Sequence, residues 1–169
     1  MVDDQERDVD RIKARIDRED TNLFARLAAI YAASRKQAQG LLQLGGGISI
    51  VEWRTLWDLH EVGPMTISDL ASTQRADHSQ LSRALPQMRQ KGLVYMRQAA
   101  QDGRQTIVTL TDKGRAAYDL AAPIMSRRRD ALDGVFTRTE INEFVGYLDR
   151  LEHFVRRPAN QIVEKEDIE

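Results

Sequence analysis

The sequence predicts a mainly α-helical fold that carries one small β-hairpin. Three observations point there. Apolar residues recur at helical spacing over long stretches at both ends of the chain. The apolar period drops to two only between Leu93 and Leu110, around an Asp102-Gly103 turn signal. Hydroxyl–carboxylate pairs three residues apart, Ser49 with Glu52 and Thr137 with Glu140, stand where helices should begin, because each pair can satisfy two free N–H groups of a first turn.

Taken in order, residues 1–20 hold eight acids and five bases, with Val9, Ile12 and Ile16 at i, i+3, i+7. That spacing fits one stripe of a short helix as well as a frayed acidic leader. From Thr21, Leu23, Phe24, Leu27, Ile30, Tyr31, Ala38, Leu41 and Leu42 keep a helical period; Asp20 or Thr21 can cap the start, and Gly45-Gly46-Gly47 ends it. The helix opened by Ser49 should bury Val51, Trp53, Leu56, Trp57 and Leu59 and stop at Gly63-Pro64. Thr66 opens a short helix over TISDLAST, and after a polar turn at Gln74–Ala76, Asp77 caps the next. Strands follow at Leu93–Arg97 and Gln105–Leu110. Thr111 caps a helix that Pro123 can bend. The helix opened by Thr137 carries Ile141, Phe144, Val145, Leu148, Leu151, Phe154 and Val155 in one stripe, and the tail from Pro158 reads as loose. The middle of this order is a helix-turn-helix followed by a two-stranded wing. The organisation expected is a leader at 1–20, helical dimerisation segments at 21–44 and 112–157, a winged helix-turn-helix at 48–110 and a tail at 158–169. The terminal helices have apolar stripes but no third layer to bury them, and a homodimer is the simplest way to cover that surface.

Composition narrows the function. The chain has 169 residues, 41% of them apolar and 30% charged, which suits a folded domain rather than a disordered one. No apolar run approaches a membrane span, and the N-terminus MVDDQERDVD is unlike a signal peptide, so a cytoplasmic protein with no membrane partner is expected. There is no cysteine, hence no disulfide, thiolate metal site or thiol switch. His60, His78 and His153 are far apart, without the spacing of metal ligands. No phosphate-binding glycine loop, G-x-S-x-G or H-E-x-x-H is present, and neither an enzyme nor a cofactor is expected.

The net charge of −1 argues globally against a nucleic-acid partner, but the charge is uneven. Residues 1–20 sum to −3, whereas residues 75–104 sum to +4. Around the helix from Asp77 to Lys91, Leu81, Ala84, Leu85 and Met88 share one side. Ser79, Arg83, Pro86 and Gln90 lie opposite, flanked by Gln80, Ser82 and Gln87, and that face holds no acid. Ser, Gln and Arg are the side chains that bond phosphates and base edges. A solvated polar face is the plainer explanation of such a charge excess, and only its combination with the helix-turn-helix order and the wing favours DNA.

The stretch SDLASTQRADHSQLSRALPQMRQKGLVYMRQAAQDGRQTIVTLTDKGR resembles the winged helix of the MarR-type regulators of bacteria and archaea. Its most specific pieces are Ser79-Gln80-Leu81-Ser82-Arg83, Lys91-Gly92-Leu93-Val94, and Asp102-Gly103-Arg104 followed by Leu110-Thr111-Asp112-Lys113-Gly114. The resemblance implies a repressor that reads a pseudo-palindromic operator in double-stranded DNA as a homodimer. His78, Ser79, Gln80 and Arg83 would meet base edges or nearby phosphates, with Ser82 and Gln87 towards the backbone. Arg97 would bind phosphate, Arg104 would enter the minor groove, and Asp102 would orient Arg104. It also implies a small aromatic or anionic effector, for which Trp53, Arg54, Trp57 and His60 are the candidates, although two Trp at i, i+4 more simply belong to a core. Pro86 inside the recognition helix and the acidic leader depart from the family pattern. The alternative is a winged-helix module that binds protein, which should show exposed apolar anchors on the same face.

Overall fold

The computed structural model describes residues 8–99 and 105–163. They form eight helices and three strands: α1 (Val9–Thr21), α2 (Leu23–Leu44), α3 (Ile50–Val62), β1 (Met65–Thr66), α4 (Ile67–Gln74), α5 (His78–Gln90), β2 (Val94–Gln98), β3 (Thr106–Leu110), α6 (Asp112–Asp133), α7 (Arg138–Val155) and α8 (Ala159–Val163). Two compact units divide the chain, residues 1–125 and 126–169.

Local chemistry sets the helix starts in the first unit. Ser49 and Glu52 make a capping box on α3, and Thr66 and Asp69 make one on α4. Asp77 caps α5 by accepting from Ser79 N–H at 2.9 Å. The cap of α2 is Asn22, whose side chain accepts from Phe24 and Ala25, rather than Asp20 or Thr21. The reason is that residues 9–21 are themselves helical, so the break falls one residue later than their acids suggest.

The hairpin is antiparallel, with Met96 opposite Val108 and Arg97 opposite Ile107. A third strand joins it: Met65 pairs with Val108 and Thr66 with Ile107, giving the order β1-β3-β2. The wing is therefore three-stranded. Two residues are too short to show a period in the sequence, and the pairing exists only once β3 is alongside. The core beneath it collects Leu42 from α2, Leu56 from α3, Leu70 from α4, Leu81, Leu85 and Met88 from α5, Val94 from β2 and Val108 from β3, all 2% exposed or less. Trp53 is buried among them, but Trp57 is 37% exposed, against expectation. The two are one turn apart on a helix whose buried side is centred on Trp53, Leu56 and Leu59, so Trp57 sits at its edge.

The second unit contains the end of α6, then α7 and α8. Thr137 and Glu140 form the capping box of α7. The α7 stripe leaves Phe144, Val145, Leu148 and Val155 exposed within the chain. Residues 159–163 of the tail are a short helix. No helix among the described residues is long and apolar enough to cross a membrane.

Candidate nucleic-acid interface

The helix-turn-helix consists of α4, a turn at Arg75–Ala76, and α5. Arg75 ends α4 in the left-handed conformation, φ 48°, the one non-glycine described residue with positive φ. Ala76 N–H donates to the Ala71 carbonyl and closes the turn. Gln74, just before it, is buried. Its side-chain amide reaches Thr55 Oγ1 at 3.4 Å, and its carbonyl accepts from Arg54 Nη2. This polar joint ties the turn to α3. Asp58 lies in the same joint. Burial raises its carboxyl above the ordinary range, partly offset by the Gln74 side chain and the Arg54 charge. Its Oδ2 is buried without a hydrogen-bond partner.

Leu81, Leu85 and Met88 anchor α5, so the opposite face points outward. His78, Ser79, Gln80, Ser82, Arg83 and Gln87 are all exposed on it. Internal bonds order several of them. Ser79 Oγ donates to Asp77 Oδ2 at 2.8 Å, and with the Ser79 N–H it holds the Asp77 carboxyl below its ordinary value. Ser82 Oγ and His78 Nδ1 lie 3.2 Å apart. Arg83 Nε donates to the Ser79 carbonyl at 3.2 Å. Pro86 also faces outward. Its ring carries no N–H for the Ser82 carbonyl, yet α5 runs unbroken from His78 to Gln90. Arg97 is exposed on β2 opposite Ile107. Asp102 and Arg104, expected at the wing tip, lie outside the described residues.

The four candidate effector residues do not form one group. Trp53, Trp57 and His60 share the face of α3 that meets Tyr118 of α6: the Trp53 and Tyr118 rings are parallel within 1° at 5.6 Å, and His60 stacks on Tyr118 at 3.9 Å. Arg54 points elsewhere, a quarter-turn round the helix. It borders a cleft of about 160 Å³ between α2, α3 and the start of α5, together with Tyr31, Arg35, Arg75, Asp77 and Gln80. Arginines from three elements thus line one cleft, with Arg54 bonded to the Gln74 carbonyl and Arg35 to the Tyr31 hydroxyl, while both oxygens of its acid, Asp77, are engaged by Ser79. Sequence reasoning missed Arg35 and Arg75. Their only signal is long-range, because α2 and α4 each come to Arg54 by packing on α3. Among the described residues, no cluster of acids and histidines is arranged to hold a metal ion.

Comparison with known proteins bears on the fold. Residues 48–106 match the model of the MarR family. A stretch of 67 residues is 33% identical to the HTH-type transcriptional repressor IacR of Pseudomonas putida, spanning 40% of this chain and 40% of that one. The fold is similar to a MarR/EmrR family transcriptional regulator from Acinetobacter, with TM-score 0.70 at 19% identity over 80% of this chain and 96% of that one. It is also similar to the transcriptional regulator MosR of M. tuberculosis, solved in complex with DNA, with TM-score 0.67 at 22% identity over 80% and 98%. The mainly helical winged fold with a small antiparallel sheet is that of these regulators.

Proposed function

From the match of residues 48–106 to the MarR family model, we propose that the chain is a MarR-type, sequence-specific DNA-binding transcription regulator. In this reading it is a repressor that binds a pseudo-palindromic operator as a homodimer and answers to a small anionic or aromatic effector. The observation that carries the reading is the outward face of α5: Ser79, Gln80, Arg83 and Gln87 exposed together, with no acid among them and a buried apolar side beneath. Such a helix fits the major groove, with hydrogen-bonding side chains at base edges. The family pattern adds Arg97 at a phosphate and Arg104, oriented by Asp102, in the minor groove. The exposed apolar stripe of α7 supports the dimer, which would place two recognition helices on one face of the duplex. The cleft edged by Arg35, Arg54 and Arg75 supports an anionic effector, since it lies against the turn that positions α5.

Fluorescence anisotropy on DNA from the protein's own promoter region, against scrambled DNA over a salt series, tests the reading. Selective binding with a finite log–log salt slope is expected, the slope counting the phosphates neutralised. Absence of binding to any duplex at low salt would reassign the fold to protein interaction.

A further inference from the structure

The strongest unassigned feature is the exit of α5. Lys91 follows α5 as its C-cap, and Gly92, at φ +73°, turns the chain into β2. Two side chains from other elements close on this corner. From α3, Glu52 is only 5% exposed. Its Oε1 accepts from Lys91 Nζ at 2.6 Å and its Oε2 from Ser49 N–H at 2.7 Å, so one carboxylate both caps α3 and holds the end of α5. From the start of α6, Thr111 Oγ1 donates to the Gly92 carbonyl at 2.6 Å and accepts from Gly114 N–H at 2.9 Å. Thr111 N–H donates to the Leu93 carbonyl at 3.3 Å. The approach is so close that a Cβ at position 114 would stand 2.0 Å from the Leu93 carbonyl oxygen. Glu52 and Thr111 are both buried, away from the outward face of α5.

A clamp at one end of a rigid helix acts through a lever. The 13 residues of α5 span roughly 20 Å, so a tilt of about 3° at the exit displaces the entry by about 1 Å. The entry carries Ser79, Gln80 and Arg83. Resting on the DNA-binding reading, we propose that Glu52 and Thr111 are positioning residues for sequence readout: they set the tilt of α5 and thereby the register of its outer side chains on base edges, without touching DNA.

The test uses the full chain with two duplexes, one selected in vitro from a randomised library by the parent protein and one scrambled. The variants are Glu52→Gln, which keeps an acceptor for Ser49 and the Lys91 charge, Thr111→Val, and Thr111→Ser. A well-placed base contact discriminates by about 1–3 kcal/mol, so misalignment should lower the ratio of selected to scrambled affinity about tenfold. That loss is expected in Glu52→Gln and Thr111→Val, with scrambled binding unchanged, while Thr111→Ser keeps the parent ratio. If Thr111→Val does not fold, Glu52→Gln carries the test. Folded Glu52→Gln with the parent ratio, or an equal loss on both duplexes, would overturn the proposal. A parent that prefers no duplex would overturn the DNA-binding reading and this inference with it.

Discussion

Arg83 donates from Nε to the carbonyl of Ser79, one turn earlier on the same helix, at 3.2 Å. Nε is the guanidinium nitrogen nearest the backbone, so the bond orders the side chain along the outer face of α5. A side chain ordered before binding loses less freedom on meeting DNA. Arg83→Glu should therefore abolish selective binding, through both the lost contact and repulsion of phosphate, while the oligomeric mass is unchanged. Arg104→Glu should do the same if the wing acts as the family pattern implies. Either variant binding as tightly as the parent in anisotropy would refute that residue's assignment.

Glu52 makes stability depend on acid. Burial alone would raise its carboxyl, but bonds from Lys91 and Ser49 outweigh burial and hold it below its ordinary value of 4.5. A carboxyl lowered in the folded state stabilises fully above that ordinary value, and the contribution is lost as pH falls through the lower folded value. Asp58 has the opposite sign: its folded value is raised, so stability falls as pH rises from its ordinary 3.8 towards that raised value. Melting temperature between pH 3 and pH 7 is expected to drop less steeply on the acid side in Glu52→Gln. Asp58→Asn should gain relative to the parent as pH rises through the same window. Parallel profiles in all three proteins would contradict both assignments.

The proposed dimer is tested in the second unit. Leu148 lies in the α7 stripe and is 37% exposed within the chain. In the proposed dimer a carboxylate there would be buried unpaired between helices, a penalty of several kcal/mol. Leu148→Asp should yield a monomer or an insoluble chain by light scattering, and an unchanged dimer mass would remove α7 from the interface.

Leu56 of α3 is fully buried in the core. Leu56→Ala should destabilise the fold by about 2–5 kcal/mol through lost burial and the cavity left behind. Urea unfolding should show a lower midpoint with unchanged slope. A loss under about 1 kcal/mol would mean that the site collapses to fill the space.

Much of this fold is legible in the chain because its signals are local. The capping pairs Ser49–Glu52, Thr66–Asp69 and Thr137–Glu140, and the N-cap Asp77, each place a helix start by chemistry spanning four residues at most. The outward set on α5 follows from a single helical period. What escaped the sequence is long-range. Arg54 meets the carbonyl of Gln74 across 20 positions, and Glu52 meets Lys91 across 39. The exposure of Trp57 depends on which neighbours cover the edge of α3, and no period reports that. Arg35 reaches the cleft beside Arg54 only through the packing of α2 on α3, and Arg75 only through that of α4 on α3.

The pairing of Met65 with Val108 closes a loop that contains α4, α5 and β2 entire. Closing so long a loop costs more chain entropy than closing the local β2–β3 hairpin, so this bridge is expected to form after the hairpin. Once formed, it joins the two ends of the segment that holds α4 and α5, and α5 itself packs on β2, so the segment is expected to open as one cooperative unit. Amide exchange at Val108 and at Leu85 should therefore proceed through the same opening event and at the same free energy.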